Sequence, residues 1–221
     1  MSIHYTPKEE AINTLSHAAG IVLGVVVGVY FLSICYKAHN SWAIVGIILY
    51  MIGMLGSYIS STVYHAIPEH CKKAKETLRK WDHTAIYWHI AGSYSPIILI
   101  VLREQGSLGW GFFIFIWLCA IIGTCMSFTR LKEHSNFETI CFVAMGLSIL
   151  IAIKPLLDSV GLIIVLWIIG EGISYITGAV FYSFKNRKYM HSVFHFFVLG
   201  GSVCHIIAIW YILQTYVVHS L

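Results

Sequence analysis

Charge is scarce in this sequence. Asp, Glu, Lys and Arg make up 11% of the 221 residues, against 58% hydrophobic residues. Soluble domains carry about 25% charged residues, and a chain this size has too little interior to hide so much apolar surface from water. The composition therefore places the chain in the membrane class. None of its six cysteines has a CxxC neighbour. Most fall in apolar runs, where a free thiol behaves as a small hydrophobe, so neither a disulfide framework nor a cysteine metal site is expected. No cleavable leader is expected either: the start, MSIHYTPKEEAINTLSH, is polar and carries two acids, and the first apolar run is long enough to span and stay. Low-complexity tracts and internal repeats are absent, and short connections leave a single domain. The net charge of +4 does not point to nucleic acid, because the basic residues are confined to a few loops.

What is present in abundance is length of apolar sequence. Crossing a hydrocarbon core takes about 20 mostly apolar residues, and seven stretches qualify: 11–36, 42–66, 81–102, 106–128, 137–153, 160–184 and 190–218. The fifth is short, which points to a different tilt or an earlier start. The expected fold is an all-α seven-transmembrane helix bundle. Seven spans put the N-terminus and alternate loops on one side, with Lys8, Lys72, Lys73, Lys75, Arg79, Lys80, Arg130, Lys132, Lys185, Arg187 and Lys188. Only Lys37, Arg103 and Lys154 fall on the other. The positive-inside rule then predicts a cytoplasmic N-terminus and an extracytoplasmic C-terminus. Glycines and serines recur within the spans, where small residues let helices approach closely.

Ionisable groups in such spans are costly and point to function. His65 closes the second span and Asp82 opens the third. His191 and His195 open the seventh, and Glu9, Glu10, Asn13 and His17 lie at the entry of the first. In the predicted topology all of them lie near the cytoplasmic interface. His191 and His195 are i and i+4, so they share a helix face and can grip one ion. Ser61 and His65 repeat that spacing. Three neutral imidazoles form a ligand set known for catalytic zinc, with a fourth position left to water. Asp82 could orient and deprotonate that water, and Ser61 could hold a ligand, the water or a substrate carbonyl. Blander readings stand beside these. HxxxH in an aromatic-rich helix is often packing, His65 could snorkel to headgroups, and Asp82 could pair with Arg79 or Lys80. His89 and His205 read as interior polar groups; His205 lies about 21 Å along the helix from His191 at about 1.5 Å per residue, too deep to reach the same ion.

These residues also carry a resemblance. The stretch Glu9, Glu10, Asn13, Ser16, His17, Gly20, the SSTVYH ending at His65, the WDH at Trp81, Asp82 and His83, and the closing HSVFHFFVLGGSVCH from His191 to His205 together resemble the hemolysin III family, bacterial relatives of the progestin and adiponectin receptors. The likeness covers essentially the whole chain. It implies a seven-helix fold in the bacterial cytoplasmic (plasma) membrane with zinc on His65, His191 and His195. Asp82 and Ser61 map onto the zinc neighbourhood. It also implies relatedness to membrane hydrolases of lipid amides such as alkaline ceramidases. Glu171, within GEGISY, stands where a small residue is expected; it either pairs with a polar neighbour such as His205 or a tyrosine, the favoured reading, or lines a cavity. Three functions stay open: a zinc-dependent hydrolase acting on a lipid amide or ester, a non-enzymatic sensor of membrane lipids with a structural zinc, and a cytolytic pore-former, the last least supported by the residues.

Overall fold

The structure is a computed structural model, and it describes residues 5–129, 136–184 and 187–218. Arg130, Lys132 and Lys185, which enter the charge count above, lie outside the described residues. The described chain is helical throughout: α1 (Pro7–Lys37), α2 (Ser41–Ala66), α3 (Lys72–Ile100), α4 (Ser107–Thr129), α5 (Asn136–Leu147), α6 (Ile153–Val160), α7 (Leu162–Ser183) and α8 (Met190–Leu213). Short 3-10 turns follow α3 and α5, and a π turn, Gln214–Val218, extends α8. Six segments are long and apolar enough to cross a membrane: α1, α2, α4, the α5–α6 unit, α7 and α8 with its π turn.

The exception is α3, and its packing gives the reason. Every residue from 91 to 102 is buried, and α3 packs against α2, α4, α5 and α8. A helix surrounded by protein faces little lipid, so it can carry His89, Ser93 and Ser95 without presenting them to hydrocarbon. Peripheral helices show the reverse arrangement. On α1, Leu15, Val22, Val26 and Val29 point outward, while the buried face bears Gly20, Gly24 and Gly28.

Two boundaries differ from expectation at the polar end. α1 starts at Pro7 rather than residue 11 because Thr6 and Glu9 form a capping box: Glu9 N donates to Thr6 Oγ1, and Thr6 N donates to Glu9 Oε2 at 2.8 Å. Proline at the first helical position removes a donor that would go unused. α3 starts at Lys72 rather than residue 81, since KKAKETLRK is built of good helix formers. Charge ended the apolar run there without ending the helix.

The fifth segment is long but broken, not short. The Tyr94 hydroxyl donates to Gly146 O at 2.5 Å and accepts from Ile149 N at 3.1 Å. A side chain inserted into the backbone ladder in this way interrupts the α-helix, and a 3-10 turn, Ser148–Ala152, follows. Pro155 then enters the first turn of α6, where its missing N–H is tolerated. The segment ends at Val160, seven residues beyond the expected end at 153.

α2 and α3 approach each other closely. A Cβ on Gly53 would sit 2.3 Å from the Trp88 carbonyl oxygen, and one on Gly92 would sit 2.8 Å from Leu49 O. Only glycine permits this contact, which draws the His65-bearing helix onto the buried α3.

Candidate metal centre

Three imidazoles from two helices converge at the polar end of the bundle. His65 occupies the last turn of α2, and His191 and His195 stand one turn apart at the start of α8. His191 Nε2 lies 3.0 Å from His65 Nε2 and 3.0 Å from His195 Nε2, and one nitrogen from each ring falls within 4.8 Å of the others. Zinc–nitrogen bonds of about 2.0–2.1 Å in a tetrahedron set ligand nitrogens about 3.3 Å apart, close to this spacing.

The outward nitrogens explain why the inward ones face each other. His65 Nδ1 meets the Glu10 carboxylate at 2.5 Å. His195 Nδ1 lies 3.2 Å from Asn13 O and 3.1 Å from Ser16 Oγ, whose own hydrogen goes to Asn13 O. A carboxylate and a carbonyl can only accept, so both Nδ1 atoms carry hydrogen and both Nε2 atoms present lone pairs to the common centre. His191 Nε2, 3.0 Å from each, can donate to only one of them at a time, whereas a cation at the centre would engage all three rings. The donor set therefore suits a metal ion, and the hydrogen-bonded carboxylate and carbonyl fix ring tautomer and orientation as outer partners of metal-bound histidines do.

α1 supplies most of that support. Glu9 Oε1 accepts from Tyr189 N at 2.7 Å, holding Tyr189 in the left-handed region at φ 65° just before α8 begins. Asn13 Oδ1 accepts from Ser192 Oγ at 2.6 Å. His17 stacks on His195 with ring centres 3.6 Å apart. Lys75 Nζ reaches Glu10 Oε1 at 2.5 Å and Glu69 at 2.7 Å, so the Glu10 carboxylate sits between an ammonium and an imidazole.

A cavity of about 310 Å³ opens beside the cluster. Ser61, Asp82, His191 and His195 line one part of it, Glu171 and His205 another, and isoleucine, leucine, valine and phenylalanine side chains dominate the rest.

The description of the haemolysin-III related family matches residues 5–206, which contain every residue of the cluster and its supports. The chain belongs to this family. It is 33% identical to Hemolysin-3 of Bacillus cereus over 209 residues, covering 94% of each chain. It is 35% identical to the Hemolysin-3 homolog of Bacillus subtilis over 199 residues, covering 90% of this chain and 91% of the relative. The human Monocyte to macrophage differentiation factor is 28% identical over 212 residues, covering 93% and 84%.

In this haemolysin-III related chain, the expected site residues fall as follows. His65, His191 and His195 meet directly. Ser61 is buried with no hydrogen-bond partner for its Oγ. Asp82 is half-buried on the cavity wall. No hydrogen bond or ion pair joins it to another described residue, so the alternative pairing with Arg79 or Lys80 is not what the structure shows. The neighbouring His83 instead binds Glu138 at 2.8 Å, and Glu138 also accepts from Ser127 at 2.6 Å. Glu171 pairs with His205 at 2.8 Å, as expected, and His89 lines the same cavity. Glu9, Glu10, Asn13 and His17 had a place in the sequence reading but no role; Ser16 and Ser192 appeared only within motifs. Lys75 was read only as a loop charge, and nothing in its local sequence marks it as the partner of Glu10. Tyr5, whose ring centre is 5.0 Å from that of His191, carries no motif signal.

Proposed function

We propose that this protein is a zinc-dependent hydrolase of lipid amides or esters, embedded in the plasma membrane by seven spans with its N-terminus in the cytoplasm. The observation that carries this reading is the histidine cluster opening onto an apolar cavity, with a carboxylate and a hydroxyl on the cavity wall that the protein itself does not engage. A purely structural metal site normally has four protein ligands, whereas three histidines converge here. Burial of residues 91–102 lets α3 cross as the remaining span despite its polarity, and the distribution of basic residues orients the bundle.

His65, His191 and His195 would hold the ion. Zinc bound in such a site lowers the pKa of water to about 7 and polarises a carbonyl. The apolar wall receives an acyl chain and brings the scissile carbonyl to the cluster, excluding bulk water from the reacting atoms. Asp82, with its oxygens uncommitted, accepts the proton of the attacking water and delivers it to the departing amine or alcohol. Ser61 Oγ donates a hydrogen bond to the carbonyl oxygen as charge builds on it. Glu10 and Asn13 keep the imidazole lone pairs directed inward throughout.

Metal content of detergent-purified protein tests the proposal, read by mass spectrometry alongside hydrolysis of an N-acyl lipid and a matched ester. Wild type is expected to hold about one zinc per chain, lost in His191→Ala and in His195→Ala. Asp82→Asn is expected to retain zinc and lose turnover. A folded wild type without metal would overturn the reading. Full turnover in Asp82→Asn would remove the aspartate as base, and zinc without hydrolysis of any lipid amide or ester would leave the metal a structural tie between α2 and α8.

A further inference from the structure

The second polar group of the cavity is far from the histidine cluster. His205 Nδ1 and Glu171 Oε2 are 2.8 Å apart, joining α8 to α7. Because the carboxylate accepts, His205 Nδ1 carries the hydrogen and Nε2 is left as an acceptor. That Nε2 has no protein partner, although His205 is only 1% exposed. Both residues line the cavity, together with the buried His89 of α3. A hydrogen-bonded pair needed only to tie two helices would satisfy its own atoms and face away from open space. Here the Glu171 side chain is 11% exposed, and its Oε1 has no hydrogen-bond partner among the described residues where it borders the chamber.

The position sets what would fill them. His205 follows His195 by ten residues on α8, about 15 Å at about 1.5 Å of helix rise per residue. An extended hydrocarbon chain covers that distance in about a dozen carbons, given C–C bonds of about 1.5 Å and angles near 111°. We propose that Glu171 and His205 form a second binding subsite, which recognises a hydrogen-bond donor, a hydroxyl group, carried about a dozen carbons from the end of a long-chain amphiphile held at the histidine cluster. The hydroxyl donates to the Glu171 carboxylate, whose hydrogen bond compensates for the hydroxyl's removal from water. The unsubstituted remainder of the chain lies on the apolar wall. This inference rests on the proposed placement of the lipid headgroup at the cluster.

The experiment compares 12-hydroxystearate, 3-hydroxystearate and stearate as competitors of a fluorescent fatty acid. It uses the full chain in phosphatidylcholine nanodiscs, with metal content read in parallel. The isomers share composition, so their ratio cancels most of the partitioning into lipid. Wild type is expected to prefer 12-hydroxystearate over both others by about tenfold, the size of one hydrogen bond to a charged acceptor. Glu171→Gln is expected to reduce that preference, and the double variant Glu171→Leu/His205→Phe, which leaves neither partner buried alone, to abolish it while stearate still binds. Metal content should remain unchanged in both. A wild type that binds metal and stearate but prefers neither hydroxylated isomer overturns the subsite alone. So does a preference that survives the double variant. A wild type that binds neither metal nor stearate overturns the reading of the cluster, and the register of the subsite falls with it.

Discussion

Glu9 and Glu10 are adjacent acids on one helix turn, yet the structure gives them separable duties, and that separation can be measured. Glu10 places one oxygen 2.5 Å from His65 Nδ1 and the other 2.5 Å from Lys75 Nζ. Hydrogen bonds to charged groups contribute about 1.5–3 kcal/mol and neutral ones about 0.5–1.5 kcal/mol. Glu10→Gln keeps an amide oxygen for His65 but removes the charge, a loss of about 1–1.5 kcal/mol, or about tenfold in metal affinity. Glu10→Ala removes the acceptor as well, and loss of an outer partner of this kind weakens metal binding by up to about 100-fold. Glu9 instead serves Thr6 and Tyr189 and touches none of the three converging histidines. Glu9→Gln should therefore lower thermal stability, by about 1 kcal/mol for a weakened cap, while metal affinity stays within about twofold. The assay is competition with a chromogenic chelator on purified protein, with circular dichroism to follow helix content. Unchanged affinity in both Glu10 variants would refute the argument, as would equal weakening by Glu9→Gln.

Three further outcomes follow from local geometry. Gly53→Ala should lower the thermal midpoint, because its Cβ would meet the Trp88 carbonyl oxygen at 2.3 Å and overpacking costs about 1–3 kcal/mol; Gly56→Ala, with open space around it, should not. Tyr94→Phe should destabilise the α5–α6 unit by about 1–3 kcal/mol, because Gly146 O and Ile149 N lose their shared partner; a midpoint equal to wild type would show that the helix break needs no hydroxyl. Ser61→Ala should keep the metal and reduce turnover by roughly a hundredfold, as loss of an oxyanion donor does; unaltered turnover would leave the serine without a part in the reaction.

The span pattern was legible because hydrocarbon imposes a length and a polarity on any helix that crosses it, and local composition records both. The helix ends were less legible. Apolar content marks where a segment enters lipid, while capping and propensity decide where a helix begins, so Lys72 and Pro7 lie outside the apolar runs they start. The break after α5 was not legible at all, since it depends on a tyrosine more than fifty residues earlier in the chain.

For the site, i,i+4 spacing placed His191 and His195 together, and the shared membrane face predicted that His65 would join them. Those inferences needed only helical periodicity and a count of spans. Which outer atom would hold each ring did not follow from periodicity, because the contacts of Glu10 with His65 and of Asn13 with His195 cross from α1 to α2 and α8. The freedom of Asp82 was hidden for the same reason: its neighbours in sequence, Arg79 and Lys80, do not bind it, and only the folded bundle sets the acid on the wall of the cavity. Sequence alone determined a membrane chain whose three histidines gather at one end of the spans, since lipid and helical periodicity select both features residue by residue. Tertiary structure decided which of those residues touch, because helix rotation and close approach are set by packing across the bundle, at glycines such as Gly53 and Gly92 whose partners lie on another helix.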